Sequence, residues 1–187
     1  FPYIFSFILQ PRTLNMADLK LHLGCGKSVL PGYTGVDLSP QPGVSVVCDL
    51  SRKPWPFEDS SVERCVLFNL LEHLPDTIQV MEELWRVTRP GGVVHIQVPY
   101  YNSAGAFQDP THVKFFTERT FDYFTVDGTT ELSHYNYYSH ARFEIVRLDF
   151  HQRPFLKRLP RRAQIFLGHH LATIQALDVV LRPVKAI

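Results

Sequence analysis

Cysteine, long apolar runs and one-sided charge are all scarce in this 187-residue chain, and each scarcity removes a class of protein. Three cysteines, Cys25, Cys48 and Cys65, form no C-x-x-C pair and leave one thiol over under any disulfide scheme. A disulfide framework is therefore not expected, and a reducing, cytoplasmic location suits the chain better than secretion. Nineteen Lys/Arg against eighteen Asp/Glu give no global nucleic-acid signature. The apolar stretch Phe1–Leu9 is too short to span a bilayer and has no basic start to make a signal peptide. Residues 1–15 read as an N-terminal extension outside the core, with translation beginning at Met16. Residues 16–187, in a chain 45% hydrophobic, are then one domain with a full core.

Charge is balanced in sum but not in place. Residues 1–141 carry ten Lys/Arg against fifteen Asp/Glu, whereas residues 142–187 carry nine against three. The densest basic run, Arg153 to Arg162, reads first as a solvated surface and second as a weak contact for an anionic substrate or membrane.

What is present is organised around Leu19–Leu50. Leu19, Leu21 and Leu23 alternate into Gly24-Cys25-Gly26, the pattern of a buried strand feeding a turn where the backbone passes close to a ligand. Asp37 and Asp49 close the next two apolar runs. A dinucleotide fingerprint would need a third glycine where Val29 stands, and an acid about twenty residues after the first glycine. Asp37 follows Gly24 by only thirteen. Pro31 and Gly32 also leave little room for a crossover helix, so a nicotinamide site is disfavoured.

Further along, Arg52 to Ser61 is turn chemistry, and Cys65 to Leu71 is the nearly continuous apolar run of a buried parallel strand. Glu72-His73-Leu74 pairs an acid with an imidazole but leads into a helix, where polar residues usually serve caps and backbone fixing. Asp76 with Gln79 forms a capping-box pattern, and Ile78, Met81, Leu84 and Trp85 make one helical face before Pro90-Gly91-Gly92 stops it. Val93–Val98 reads as the fifth strand. Residues 100–140 are aromatic and polar at once, Phe143–Phe150 alternates as a strand, and Asp178–Lys185 can be the last strand if Pro183 lies at an edge.

In order, the glycine turn, Trp55-Pro56-Phe57, Asp59-Ser60-Ser61, Glu72-His73-Leu74, Leu84-Trp85-Arg86-Val87 and Arg89-Pro90-Gly91-Gly92 resemble the class I S-adenosylmethionine-dependent methyltransferases, of the group acting on small molecules and glycans. That resemblance implies an α/β fold with a Rossmann-like, seven-stranded, mainly parallel sheet, one strand antiparallel, and helices on both faces. It implies S-adenosyl-L-methionine as cofactor. Gly24, Cys25 and Gly26 would pass the methionine part, Asp37 would hold the ribose, Asp49 with the Leu50 backbone nearby the adenine, and Leu38 would be a further cofactor contact. Asn69 would be a further contact at the reversal of strand order. Where many relatives carry an acid two residues before the first glycine, this chain has His22, either a single hydrogen-bond acceptor for the ligand or a satisfied strand histidine.

Asp109-Pro110-Thr111-His112 through Thr117 is similar to a D-P-x-H-x-x-x-F-T segment of relatives acting on glycans or small natural products, and residues 100–140 would build the acceptor pocket. His112, oriented by Asp109, is the candidate base for a hydroxyl acceptor, against a purely structural tie of the loop. No compact ligand spacing among Asp109, His112, His134, His140 and His151 suggests a metal. No N-P-P-Y segment supports DNA as substrate. Against methyl transfer to a small-molecule or glycan oxygen stand a non-catalytic cofactor-binding module and a basic, membrane-associated interaction domain.

Overall fold

The structure, a computed structural model, describes residues 19–126 and 131–185. The extension expected at 1–15, and Met16, lie outside the described residues. Seven strands form one sheet: β1 Leu19–Leu23, β2 Thr34–Asp37, β3 Val44–Val47, β4 Val62–Phe68, β5 Thr88–Pro99, β6 Phe143–His151 and β7 Ala176–Pro183. Their order is β3-β2-β1-β4-β5-β7-β6. All pairs from β3 to β5 are parallel, and β7 runs antiparallel to both of its neighbours. The order reverses between β1 and β4, so the loops leaving those strands flank the crevice where such sheets take ligands.

Several boundaries differ from expectation, each for a local reason. The fourth strand starts at Val62 and stops at Phe68, because Asn69 adopts φ +51° and Leu71–His73 then forms a single 3-10 turn. Pro90-Gly91-Gly92 does not stop the helix. The helix ends before it, with Thr88 as cap, and the glycines are absorbed into β5 as an irregularity opposite Val62–Arg64, where Gly91 takes φ +76°. Pro183 is not on an edge strand: β7 lies between β5 and β6, and Pro183 is tolerated because it is the strand's last residue.

Three α-helices occur among the described residues: α1 Thr77–Val87, α2 Ala104–Phe107 and α3 Arg161–Leu171. Asp76 caps α1 by accepting from the Gln79 amide at 3.0 Å. The reciprocal half of the capping box is missing, since the Gln79 side chain donates instead to the Ser51 carbonyl at 2.8 Å and ties α1 to the loop after β3. No helix joins β1 to β2 or β2 to β3.

The core lies on one face of the sheet. Leu21, Leu23, Val36, Cys65, Leu67, Val94, Ile96, Val98, Leu177, Val179 and Leu181 are buried in one cluster with Val80, Met81, Leu84 and Val87 of α1. On that same face Ile165 of α3 packs against the cluster, and the Arg161 guanidinium stacks 3.6 Å from the Phe150 ring. The opposite face carries His22, Phe68, His95, Gln97, Asp178 and His151 in register. There His95 and His151 flank the Asp178 carboxylate at 2.9 and 3.5 Å. Helices on both faces were expected; among the described residues the two longer helices share one face. The loop after β1 reaches the other, where the Leu30 amide donates to His22. The shortness of the β1–β2 connection is the reason, as Pro31 and Gly32 imply.

Residues 100–126 fold back over the covered face and are pinned there by polar contacts. The Tyr100 hydroxyl donates to Glu118 at 2.7 Å, the Tyr101 hydroxyl meets His169 Nδ1 at 3.0 Å, and the Asn102 amide donates to the Gly168 and His169 carbonyls. His169 also sits 3.2 Å from Glu118. Its neighbour His170 stacks on Phe166 instead, so the two histidines diverge as adjacent helical positions must.

Candidate functional site

Two adjoining cavities open at the carboxyl ends of the central strands. The first, of about 300 Å³, is lined by Gly24, Asp37, Leu38, Cys48, Asp49, Leu50, Ser51, Leu70, His73, Leu74 and Pro75. It brings together residues of four separate segments, including both carboxylates and the glycine turn. Gly24 has φ +64°, and a Cβ there would stand 2.6 Å from the Leu70 side chain that walls the same cavity. Asp37 is fixed by the turn it faces, accepting from the Gly26 amide at 2.8 Å and the Ser39 amide at 3.2 Å, which leaves each oxygen one lone pair for a ligand. Gly26 and Cys25 therefore shape the site from behind. Cys25 is buried, burial and the nearby Asp37 charge push its thiol above its ordinary value, and it packs rather than reacts.

Asp49 closes the far side. Its Oδ1 accepts from the Ser51 hydroxyl at 2.6 Å and the Ser51 amide at 3.0 Å, and its Oδ2 lies 3.0 Å from Arg52 Nε. The hydrogen bonds from Ser51, with a smaller contribution from Arg52, hold this carboxyl below its usual value, so it is a charged acceptor at neutral pH. The Leu50 carbonyl is held by the Trp55 indole at 3.2 Å, which explains why the Trp55-Pro56-Phe57 block follows so closely. His22 does not line this cavity. It accepts from Leu30, meets the Phe68 ring edge-on at 5.9 Å, and burial lowers its pKa; it is the satisfied strand histidine of the two readings.

The second cavity, of about 340 Å³, shares His73 with the first and is lined by Asn69, Glu72, Pro99, Gly105, Gln108, Asp109, His112, Gln175 and Ala176. Asn69 thus stands on this side of the junction rather than in the first cavity. His112 and Asp109 both line the cavity, but they are not paired. His112 Nδ1 lies 3.0 Å from the Ala106 carbonyl, which can only accept. Asp109 Oδ1 accepts instead from the Thr111 amide and hydroxyl at 2.9 and 2.7 Å, bonds that hold its carboxyl below the usual range. Asp109 as the residue that orients His112 is corrected to Ala106: the Asp-Pro-Thr sequence folds the carboxylate onto its own loop.

Glu72 and His73, expected to serve caps and backbone fixing, do so only in part. The Glu72 carbonyl accepts from the amides of Val113 and Lys114 at 2.9 and 3.1 Å, fixing the 109–117 loop to the end of β4. The Glu72 side chain is another matter. It is 1% exposed, neither oxygen has a hydrogen-bond partner among the described residues, and Oε1 lies 3.9 Å from His112 Nε2. Burial raises its pKa. No sequence signal could have paired Glu72 with His112, because forty residues of chain separate them.

The comparisons agree with this geometry. Residues 21–96 match the family described as Methyltransferase domain. An uncharacterized methyltransferase of Mycobacterium tuberculosis is 41% identical over 64 residues, which take in 34% of this chain and 22% of the relative, so the matched part is about a fifth of that protein. Among solved structures, a SAM-dependent methyltransferase from Archaeoglobus fulgidus superposes with TM-score 0.58 at 14% identity, over 89% of this chain and 86% of that one. Geranyl diphosphate C-methyltransferase from Streptomyces coelicolor A3(2), in complex with Mg2+, geranyl diphosphate and S-adenosyl-L-homocysteine, superposes with TM-score 0.55 at 13% identity, over 90% of this chain and 72% of that one. The glycine turn, the two acids and the reversal of strand order meet at one cavity, and all but the far strands of that arrangement lie within the stretch that matches the methyltransferase domain family, on a fold shared with S-adenosylmethionine-dependent methyltransferases.

Proposed function

We propose that the chain transfers a methyl group from S-adenosylmethionine to a hydroxyl of a small-molecule or glycan acceptor. The observation that carries this reading is the junction itself: Gly24, Asp37, Asp49 and Leu50 line one cavity, and His73 joins it to a second whose wall is the Asp109–His112 loop. In the first cavity Asp37 accepts from ribose hydroxyls and Asp49 from the adenine amino group, both as charged acceptors. The glycine turn lets the sulfonium approach the junction. The acceptor occupies the second cavity, where its oxygen lies in line with the methyl carbon and is activated at His112. A C–O bond forms as the C–S bond breaks, the hydroxyl proton leaves, and S-adenosylhomocysteine is the other product.

His112 is suited to that position because Ala106 holds the proton on Nδ1. Its Nε2 lone pair is left toward the cavity. Calorimetry with S-adenosylhomocysteine should give one site, and Asp37→Asn should weaken it about tenfold or more. Tritium transfer from labelled cofactor into a glycan or metabolite pool should be detectable and should fall about a hundredfold in His112→Ala, with cofactor affinity kept. A chain that does not bind the adenosyl ligand at millimolar concentration would end this reading; one that binds it without transfer would leave a binding module.

A further inference from the structure

The second cavity contains a constellation that methyl transfer does not itself require. Glu72, His73 and His112 each place one ligand-capable atom within 4.8 Å of the others, and the described residues hold no second such group of three His, Cys, Asp or Glu. Their outer contacts give this closeness a chemical meaning. His112 Nδ1 faces a carbonyl and must carry the proton, so its Nε2 bears the lone pair when the ring is neutral. His73 Nδ1 lies 2.9 Å from Thr111 Oγ1, whose own proton goes to Asp109; His73 Nδ1 must therefore donate as well. Both imidazoles are fixed in the tautomer that leaves Nε2 free, by outer partners of the kind that orient metal-ligating histidines.

Beside these rings, which meet edge-on at 4.6 Å, lies the Glu72 carboxylate, its Oε1 3.9 Å from His112 Nε2, buried and without a hydrogen bond to either oxygen. Such a group is costly to keep unless something compensates it. A neutral acid would still leave its hydroxyl unmatched, whereas a cation answers both oxygens. We propose that Glu72, His73 and His112 bind one divalent transition-metal cation, with Zn2+ the best suited and Mn2+ a weaker spectroscopic probe of the same shell, at the junction of the two cavities. Two imidazoles and one carboxylate favour such ions over Ca2+ or Mg2+, which prefer all-oxygen shells. Ligand atoms around a cation at about 2.1 Å lie roughly 3.4 Å apart, so binding draws the three groups together by about an ångström. Three protein ligands leave positions open, and Asn69 and Gln108 line the same cavity within the space left. An acceptor hydroxyl bound in an open position would be acidified by the cation, which then takes the place of His112 as the group that activates it and narrows the acceptor class to oxygen compounds able to ligate a metal. This last point rests on the function proposed above; the metal site does not.

The test uses the whole chain, stripped with chelator and titrated with Mn2+ while the free-ion paramagnetic resonance signal is followed, and with Zn2+ by calorimetry. One tight site per chain is expected, weakened at least tenfold by Glu72→Gln and by His112→Gln. Thr111→Val, which frees the His73 ring from an exposed position, should weaken it about tenfold, as removal of outer partners does elsewhere. Wild-type chain that takes up neither ion below millimolar concentration overturns the proposal, as do variants that bind as wild type does. Cofactor calorimetry on the same samples separates the two readings. If S-adenosylhomocysteine binds and the metals do not, His112 acts without a cation and the function proposed above survives; if the metals bind and the nucleoside does not, the reverse holds.

Discussion

Arg86 shows what a recognisable motif can be for. Its guanidinium donates to both oxygens of Glu83 at 2.8 and 2.7 Å, to the Phe57 carbonyl and Asp59 at 2.8 and 2.7 Å, and to the Trp55 carbonyl at 3.1 Å. Glu83 in turn accepts from the Trp55 amide at 2.6 Å. The Trp-Pro-Phe, Asp-Ser-Ser and Leu-Trp-Arg-Val blocks are thus one hydrogen-bonded clamp, buried at Trp55 and Glu83 and open at Asp59, that positions Leu50. Glu83→Ala should cost about 3 kcal/mol of unfolding free energy, since it removes the buried carboxylate that takes two of the Arg86 hydrogen bonds and leaves the Trp55 amide without its acceptor. Burial alone would raise the Glu83 pKa, but the hydrogen bonds from Arg86 and Trp55 outweigh it and the folded value is lowered. The pair's contribution is therefore complete above the ordinary value of 4.5 and disappears as pH falls through the lowered one. Glu72 has the opposite sign, so its burden on stability grows as pH rises past 4.5. Urea midpoints from pH 3 to 7 should show a smaller acid-side drop in Glu83→Gln, the remainder coming from the other lowered carboxylates such as Asp49 and Asp109, and metal-free Glu72→Gln should gain stability at pH 7.

At the scale of elements, the loop that replaces the first crossover helix needs unusually close packing. A Cβ on Gly35 in β2 would stand 2.6 Å from Val29 Cγ2, 2.7 Å from the Gly43 carbonyl and 3.0 Å from Cys25 Sγ. The loop, the glycine turn and the approach to β3 all meet over this one residue, and the carbonyl cannot swing aside as a side-chain tip could. Gly35→Ala should cost about 2 kcal/mol by overpacking and should weaken S-adenosylhomocysteine binding, because Cys25 and Asp37 shift with β2. A melting curve and a calorimetric titration check both, and an unchanged pair of values would mean that the loop yields. The equivalent feature in the second half is α3, whose His169 and backbone carbonyls hold Tyr100, Tyr101 and Asn102 and so keep the segment after β5 over the sheet.

For the whole molecule, the cofactor cavity draws on the ends of β1 to β4, so binding should report on global stability. Ligand at a hundred times its dissociation constant adds about 2.7 kcal/mol, which for a chain of this size raises the melting temperature by roughly 5–11 °C. S-adenosylhomocysteine should do this and adenine nucleotides should not; an equal response to both would dissociate the cavity from the methionine part of the ligand. The uneven charge is also a molecular property. Arg153, Lys157, Arg158 and Arg162 are exposed beside exposed Phe155, Leu159 and Phe166, and Arg153 and Phe155 line a further cavity of about 880 Å³ that shares Gln175 with the second. No helix among the described residues is long and apolar enough to cross a membrane.

Local chemistry was enough for the sequence to determine the strand-turn-strand frame, the two acids at strand ends, the absent crossover helix and the cap of α1. Each depends on residues within a few positions of one another, where φ preferences, alternation and turn geometry act directly. Tertiary structure alone decided the rest. It placed Glu72 against His112 across forty residues, moved the orienting role from Asp109 to Ala106, put β7 inside the sheet, and gathered the longer helices on one face. Those outcomes depend on which distant surfaces meet when the core is buried, and no short-range preference encodes that meeting.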